Sequence, residues 1–230
     1  YSQPDYERMV EEGCDLAIES TMILHAPKVQ EMIEQLGIPV FVEHASYEKH
    51  PLGRTEWVKV YGVMLDREKE AEAFFKTQTE AIRQFRDLEN TGKTVAFFYL
   101  SSNGSVNVRA TTDYVPKMIE IAGGSYVFTD ITDPDSRRSS VSLTMEEFYN
   151  IAVSADYLIY NAAIDDPIYT LDELIAKDSL FADFKAVKNG NVWCTGKYLF
   201  QATDITGELI VDFHHMLTGQ EDMQFLYKLK

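Results

Sequence analysis

The sequence has little positive charge and no long apolar run. Its 230 residues include 21 Lys and Arg against 37 Asp and Glu, a formal net charge of −16. Binding to nucleic-acid phosphates needs a surplus of Lys and Arg, so this composition argues against a DNA- or RNA-binding protein. A transmembrane helix needs about 20 consecutive apolar residues, and no stretch approaches that length. We therefore expect a protein without membrane-spanning helices.

Cysteine is also scarce. Cys14 and Cys194 are the only two, and they fit no CxxC or other metal-binding spacing. Both adjoin apolar strand-like runs, where a free cysteine packs as a small hydrophobic residue. We expect buried free thiols rather than a disulfide. The residues after Tyr1 have the pattern of a helix rather than of a secretion signal.

An alternation of helix and strand patterns is the main feature of the first 65 residues. Helix patterns over 4–12 and 27–36 precede apolar strand patterns at 16–18 and 38–42. Strands that each follow a helix favour a parallel sheet with crossover helices. The run at 38–42 is continuously apolar, which predicts a strand buried on both faces.

A long amphipathic helix is predicted from residue 66 to about residue 90. Apolar residues recur there at helical spacing, and no Gly or Pro interrupts them before Gly92. About 25 residues at 1.5 Å each give a helix of about 37 Å. A second alternating region follows, with strands predicted at 94–100, 157–161 and 192–194, and helices at 113–122, 145–153, 171–176 and 204–217.

These patterns predict an α/β fold with two lobes of parallel sheet flanked by helices and joined by the long helix. The predicted lobes are residues 1–65 and 92–230, and the linking helix is 66–91. Two parallel strands leave both sheet faces and both edges open, too little for a self-sufficient core. We therefore expect the N-terminal lobe to be incomplete in this chain, or its sheet edge to be completed by another chain.

Ligands of open parallel sheets bind beyond the carboxyl ends of the strands. That rule selects the loops starting at 20–24, 43–57, 101–109, 161–164 and 195–202. Arg54 in the second loop and Arg109 in the third predict an anion clamp contributed by opposite lobes, because guanidinium groups pair bidentately with anions. The alternative is that Arg54 pairs with Glu48 or Glu56, that Arg109 pairs with Asp113 or Glu120, and that Trp57 packs on a helix.

Metal-binding and catalytic patterns are weak. His25, His44 and His50 fall on loops of the predicted cleft, but none forms an HxH or HxxxH motif, and we predict no metal site. The sequence contains no GxSxG elbow. An enzyme would need a convergent acid–base pair, and only Glu43 with His44 suggests one.

Four segments, in this order, carry a family resemblance: PDYERMVEEGCDLAIES, EHASYEKHPLGRTEW, AVKNGNVW and ATDITGELIVDF. With a long Ala- and Glu-rich helix between the second and third, they resemble substrate-binding proteins of the iron-chelate and cobalamin ABC importers. The resemblance implies two α/β lobes, one rigid linking helix, and a ferric siderophore, haem or cobalamin bound in the cleft between the lobes. It also implies an extracytoplasmic protein, either periplasmic or a cell-surface lipoprotein held to the membrane only by a lipid anchor outside this chain. Its partner would be an ABC permease dimer.

On this basis we expect a binding protein rather than an enzyme, with no cofactor. The expected ligand-binding residues are Ser20, Met22, Tyr47, Arg54, Trp57, Arg109, Asn161 and Tyr198. The family presents a carboxylate on each lobe to its permease, and the candidates here are Glu31, Glu34, Asp172 and Glu173. Three alternatives stay open at this point: a zinc or manganese receptor of the same architecture, a chelatase-like enzyme, and a sensor built on the same fold.

Overall fold

A computed structural model describes residues 4–132, 139–199 and 202–230. Contacts within the chain define two compact units, Tyr1–Glu48 and Lys49–Lys230. The division falls inside the predicted first lobe, so residues 49–65 are grouped with the second unit. In the described ranges, no helix combines the length and the apolar character that a membrane span requires.

The first unit contains a pair of parallel strands. Ala17 pairs with Val40 and Ser20 with Glu43, as the helix–strand alternation predicted. A small core beneath them contains Ile23, Ile33 and Ile38. The second strand is half-buried at every position rather than buried on both faces, because the sheet has two strands in the described residues. The elements of this unit are helices α1 (Tyr6–Glu11) and α2 (Pro27–Gln35) and strands β1 (Ala17–Ser20) and β2 (Val40–Glu43).

The second unit is built on a mixed sheet of seven described strands. Its central strands are parallel and were predicted from their continuous apolar runs; they are β3 (Thr94–Leu100), β7 (Tyr157–Tyr160) and β8 (Val192–Thr195). The other four strands were not predicted: β4 (Val106–Arg109), β5 (Ser125–Tyr126), β6 (Ser140–Leu143) and β9 (Leu226–Lys228). The order is β6-β4-β3-β7-β8-β9, and β5 pairs with the start of β3.

Helices cover both faces of this sheet. One face packs a cluster of aromatic rings that includes Phe98, Phe148 and Phe181. The other face packs against three helices through residues such as Ile82, Ile119 and Phe213. The helices of this unit are α3 (Pro51–Glu56), α4 (Val58–Met64), α5 (Glu68–Arg83), α6 (Tyr114–Ile121), α7 (Met145–Ala152), α8 (Leu171–Lys177), α9 (Lys185–Lys188) and α10 (Thr206–Thr218). The predicted α/β class, with a parallel-rich sheet between helices, is confirmed.

The predicted long helix is shorter than expected. Helix α5 has 16 residues and ends at Arg83, whereas the pattern predicted about 25. Beyond it the hydrogen bonds tighten: the Phe85 N–H donates to the Ile82 carbonyl and the Leu88 N–H to the Phe85 carbonyl. The Phe85 ring is buried and packs on His214, with 4.6 Å between the ring centroids. It therefore lies on the same side as the apolar residues of α5, although it follows the helix. The helical spacing of apolar residues thus extends into a segment of turns, which is why the sequence predicted too long a helix.

The predicted third loop, 101–109, contains a β-hairpin. Its turn is closed by a hydrogen bond of 2.9 Å from the Ser101 N–H to the Ser105 carbonyl. Strand β4 then runs antiparallel to β3, with Val106 opposite Leu100 and Val108 opposite Phe98. The chain thus returns from the carboxyl edge of the sheet and carries Arg109 away from that edge.

Candidate functional site

Two predicted arginines meet on one aromatic ring in the second unit. The guanidinium carbon of Arg54 lies 4.2 Å from the centroid of the Tyr114 ring, and that of Arg109 lies 5.9 Å from the same centroid. Both arginines lie in the unit Lys49–Lys230, so the prediction that they come from opposite lobes is wrong. The two side chains lie near the same ring, and their role as an anion clamp stays a prediction.

Arg54 is carried by the short helix α3, which is anchored at both ends. Pro51 occupies the first turn, and the His50 Nδ1 accepts a hydrogen bond of 3.2 Å from the Leu52 N–H. Burial, with a further contribution from the Lys117 charge, lowers the pKa of His50, which favours the neutral ring that this acceptor role requires. Near the end of α3, the Thr55 hydroxyl donates to the Thr203 carbonyl at 2.9 Å.

Arg109 is held by the residue that caps α6. The Asp113 side chain accepts a hydrogen bond of 3.1 Å from the Val115 N–H, and its Oδ1 lies 3.9 Å from the Arg109 Nε. The side chains of Arg109 and Asp113 are 14% and 5% exposed. Burial raises the pKa of Asp113, and the charges of Arg109 and Arg54 oppose that rise. The alternative pairing of Arg109 with Asp113 is therefore present in the structure.

The Tyr126 hydroxyl fixes the backbone of Arg109. It accepts a hydrogen bond from the Arg109 N–H and donates one to the Arg109 carbonyl, both 3.0 Å long. Burial raises the pKa of Tyr126, so the phenol stays protonated and can donate. Arg109 is thus restrained at its backbone by Tyr126 and at its side chain by Asp113.

A groove of about 470 Å³ runs along α6 in the same unit. Asp113 belongs both to this groove and to the arginine cluster. Pro116, Tyr126 and Phe128 form an apolar wall, and Lys49 and Lys117 add positive charge. Lys117 is paired with Glu120 at 2.9 Å. The volume lies within the range of small-molecule sites, about 300–1,000 Å³.

The arrangement of Arg54, Tyr114 and Arg109 is suited to recognising an anion. Guanidinium groups offer planar, bidentate donors, and an aromatic face stabilises cations placed above it. Because much of the cluster is shielded from water, each interaction with an incoming anion is stronger than on an open surface.

Three of the predicted ligand-binding residues lie in the first unit. Ser20 caps a 3₁₀ turn, with its hydroxyl accepting from the Met22 N–H at 3.3 Å. Met22 is 54% exposed. Tyr47 is also exposed, and His44 packs against it edge-on with ring centroids 5.4 Å apart. Their roles as ligand contacts remain predictions.

The other three predicted contacts differ in accessibility. Trp57 is half-buried where α3 passes into α4. Asn161 is fully buried, and its Oδ1 accepts a hydrogen bond of 3.1 Å from the Ala163 N–H, so in the structure it shapes its loop. Tyr198 lies in the 3₁₀ turn Lys197–Leu199, and its side chain is outside the described part.

The four candidate docking carboxylates are all exposed. Glu31 and Glu34 lie on α2, where Glu34 accepts from the Gln30 amide at 2.9 Å. Glu173 completes a capping box with Thr170 and accepts backbone N–H groups from Tyr169 and Thr170, which lowers its pKa. Its carboxylate therefore caps the N-terminus of α8. Asp172 sits beside it in the first turn.

The histidines and cysteines do not converge. Within residues 4–132, 139–199 and 202–230, no three His, Cys, Asp or Glu side chains are grouped so that they could hold a metal ion. Cys14 and Cys194 are both free, the first half-buried and the second buried.

Sequence reasoning missed Tyr114 as part of this site. A helix was predicted over 113–122, and Tyr114 was counted as one of its residues without a role of its own. The position of Asp113 as a helix cap, four residues after Arg109, was the signal available. That spacing brings the start of α6 beside the arginine.

A family model described as "Periplasmic binding protein" matches residues 1–199. The chain belongs to this family. An uncharacterized lipoprotein of Methanocaldococcus jannaschii is 28% identical over 225 residues, covering 94% of this chain and 51% of the relative. The chain spans about half the length of the curated relatives it matches.

Solved structures share the fold of this periplasmic binding protein. A periplasmic haem-binding protein from Pseudomonas aeruginosa superimposes with a TM-score of 0.71 at 13% identity, covering 99% of this chain and 81% of that one. A protein of an Fe³⁺-hydroxamate transport system from Saccharomonospora viridis gives a TM-score of 0.68 at 16% identity, covering 95% and 73%. At these identities the likeness concerns the fold.

Proposed function

We propose that this protein is the extracytoplasmic substrate-binding component of an ABC importer and that it captures a ferric siderophore or a related iron chelate such as haem. Membership of the periplasmic binding protein family over residues 1–199 is the observation that carries the proposal. The neighbours in fold are described as proteins for haem and for Fe³⁺-hydroxamate transport, which supports an iron chelate as ligand. Cobalamin rests only on the sequence resemblance.

The arginine cluster is the proposed point of attachment for the ligand. Arg54 and Arg109 carry two guanidinium groups at one place, and iron chelates commonly offer carboxylate or other oxygen anions at their rim. A charge-assisted hydrogen bond to such a group stabilises a complex by about 1.5–3 kcal/mol.

Isothermal titration calorimetry with ferric chelates, and with the same chelators lacking iron, tests this role. We expect binding of the loaded chelate, and at least about a tenfold loss of affinity when Arg54→Ala or Arg109→Ala removes one guanidinium. Arg67→Ala is the matched control, because Arg67 is an exposed arginine 3.9 Å from Glu70. Equal losses in all three variants, or no binding to the unmodified chain, would overturn the role of the cluster.

Delivery to a permease is the second part of the proposal. Glu31, Glu34 and Asp172 are exposed carboxylates on helices and are available to a basic partner surface, whereas Glu173 is engaged in its capping box. Two of the curated relatives are named lipoproteins, and we propose a lipid anchor outside the residues present here. Co-purification with the permease should weaken when Glu31 and Asp172 are changed to the neutral amides and stay unchanged for Glu72→Gln on α5.

A further inference from the structure

Tyr114 is the shared element of the arginine cluster. It is the first residue of α6, and both guanidinium carbons lie within 6 Å of its ring centroid, at 4.2 and 5.9 Å. No other aromatic ring in the described part of the chain has two arginines placed on it in this way. The geometry therefore singles out Tyr114.

Bringing two guanidinium groups together costs electrostatic energy, since like charges repel. An aromatic face compensates part of that cost, because its quadrupole attracts cations within about 6 Å of the centroid. The ring of Tyr114 is held by its place in α6, whose cap Asp113 also lies beside Arg109. Tyr126 and Asp113 already restrain Arg109, so the Tyr114 ring chiefly fixes where the Arg54 guanidinium lies beside it, and the ring need not touch the ligand to do so.

We infer that Tyr114 is a positioning residue that holds Arg54 and Arg109 at the spacing required by a ligand carrying a carboxylate group. This inference rests on the proposed function and makes it more specific. Among iron chelates, it favours those with free carboxylates at the rim over those whose rim is neutral. Without the ring, Arg54 is no longer held beside Arg109, and the preference for the carboxylate falls.

A matched pair of ligands isolates the carboxylate. Hemin carries two propionate groups, and its dimethyl ester has the same iron and the same flat macrocycle without the two negative charges. The unmodified chain should bind hemin at least about tenfold more tightly than the ester, as expected for charge-assisted hydrogen bonds. The preference should fall as salt concentration rises.

Two variants at Tyr114 test the positioning role. Tyr114→Phe keeps the ring, and we expect it to preserve the hemin-to-ester ratio. Tyr114→Leu removes the ring and should lower that ratio by about tenfold. Tyr149→Leu is the control, because Tyr149 is a half-buried ring packed on Phe184 at 5.5 Å, outside the arginine cluster.

The ratio is the decisive readout, because a variant that only loses stability binds both ligands less well and leaves their ratio unchanged. Circular dichroism at the titration temperature establishes that each variant is folded. An unchanged ratio in Tyr114→Leu, or equal binding of hemin and its ester to the unmodified chain, overturns the inference while leaving the proposed function standing. If no iron chelate binds the unmodified chain, the proposed function fails and the inference fails with it.

Discussion

Single residues decide how the central sheet of the second unit is tied together. Asp156 precedes β7 and links it to β3: its carboxylate accepts hydrogen bonds from the Thr94 N–H at 2.9 Å and the Thr94 hydroxyl at 3.0 Å. The Lys185 ammonium lies 2.7 Å away. Burial alone would raise the pKa of Asp156, but these partners outweigh it and lower the pKa to about 2.

This pKa predicts an acid-sensitive contribution to stability. The free carboxylate titrates near pH 4 in the unfolded chain, so the contribution is complete above that pH and is lost as the pH falls towards 2. Urea unfolding should show Asp156→Asn to be less stable than the unmodified chain by about 1–3 kcal/mol at pH 6, with the difference shrinking at pH 2. Asp183→Asn, which alters an exposed pair with Lys188, should show little difference at either pH.

Part of the arginine cluster could be named from the sequence, although its role in ligand binding stays a proposal. Arg54 and Arg109 were found because charged residues between strand patterns are conspicuous. Asp113 was named as a possible partner of Arg109, whereas Tyr114 was missed because a tyrosine at the start of an apolar helix is normally a packing residue. The cation on the Tyr114 ring comes from α3, which is separated from α6 by more than 50 residues. Local sequence patterns therefore do not predict this contact.

Between elements, close packing depends on residues without room for a side chain. Helix α4 crosses α5 at Gly62, where an added Cβ would lie 2.6 Å from the Ala71 Cβ and 3.2 Å from the Arg67 carbonyl oxygen. Real Cβ atoms do not approach that closely, so the helices would have to separate.

Gly62→Ala should therefore lower the free energy of unfolding by about 1–3 kcal/mol, the usual cost of overpacking. Ala71→Gly removes the atom in conflict, and the double variant should be more stable than the sum of the two single changes predicts. Purely additive effects in chemical unfolding would show that the two helices do not meet as described.

The last strand is attached to α10 by one carboxylate. Asp212 is buried and accepts backbone N–H groups from Gln224, Phe225 and Leu226, the shortest at 2.6 Å from Phe225. Burial raises its pKa, against the effect of these hydrogen bonds. The contact explains how a short strand stays in place at the edge of the sheet.

Asp212→Ala leaves these N–H groups without their acceptor and should lower the free energy of unfolding by about 1–3 kcal/mol. Hydrogen exchange should accelerate first at Phe225 and Leu226, with smaller changes in β3. Asp222→Ala, at a nearby exposed position, is the control. Uniform acceleration across the whole sheet would argue against a local role for Asp212.

Helices and strands could be predicted where their sequence has an apolar face or is apolar throughout. The strands β3, β7 and β8 and the helix α10 follow from their apolar patterns. Strand β4 was missed because the Asn-Gly turn before VNVR was interpreted as part of a flexible loop, although such a turn followed by alternating polar residues is typical of a hairpin. The length of α5 was overestimated because buried Phe85 continues its period beyond the last helical hydrogen bonds.

For the molecule as a whole, the family and the fold agree with the class of protein that the charge and composition allow. The net charge of −16 argues against nucleic-acid binding, and the family model over residues 1–199 places the chain in the periplasmic binding protein family. The ligand of the proposed function would depend on a few side chains, which composition and fold do not identify.

The most direct test of the proposed function is a thermal-unfolding series of this chain with hemin, cobalamin, several ferric siderophores, and zinc and manganese salts. A ligand at one hundred times its dissociation constant adds about 2.7 kcal/mol of stability, which raises the unfolding midpoint measurably. We expect an iron chelate to raise the midpoint and bare zinc and manganese to leave it unchanged. Stabilisation by a bare metal ion alone, or by none of these compounds, would contradict it.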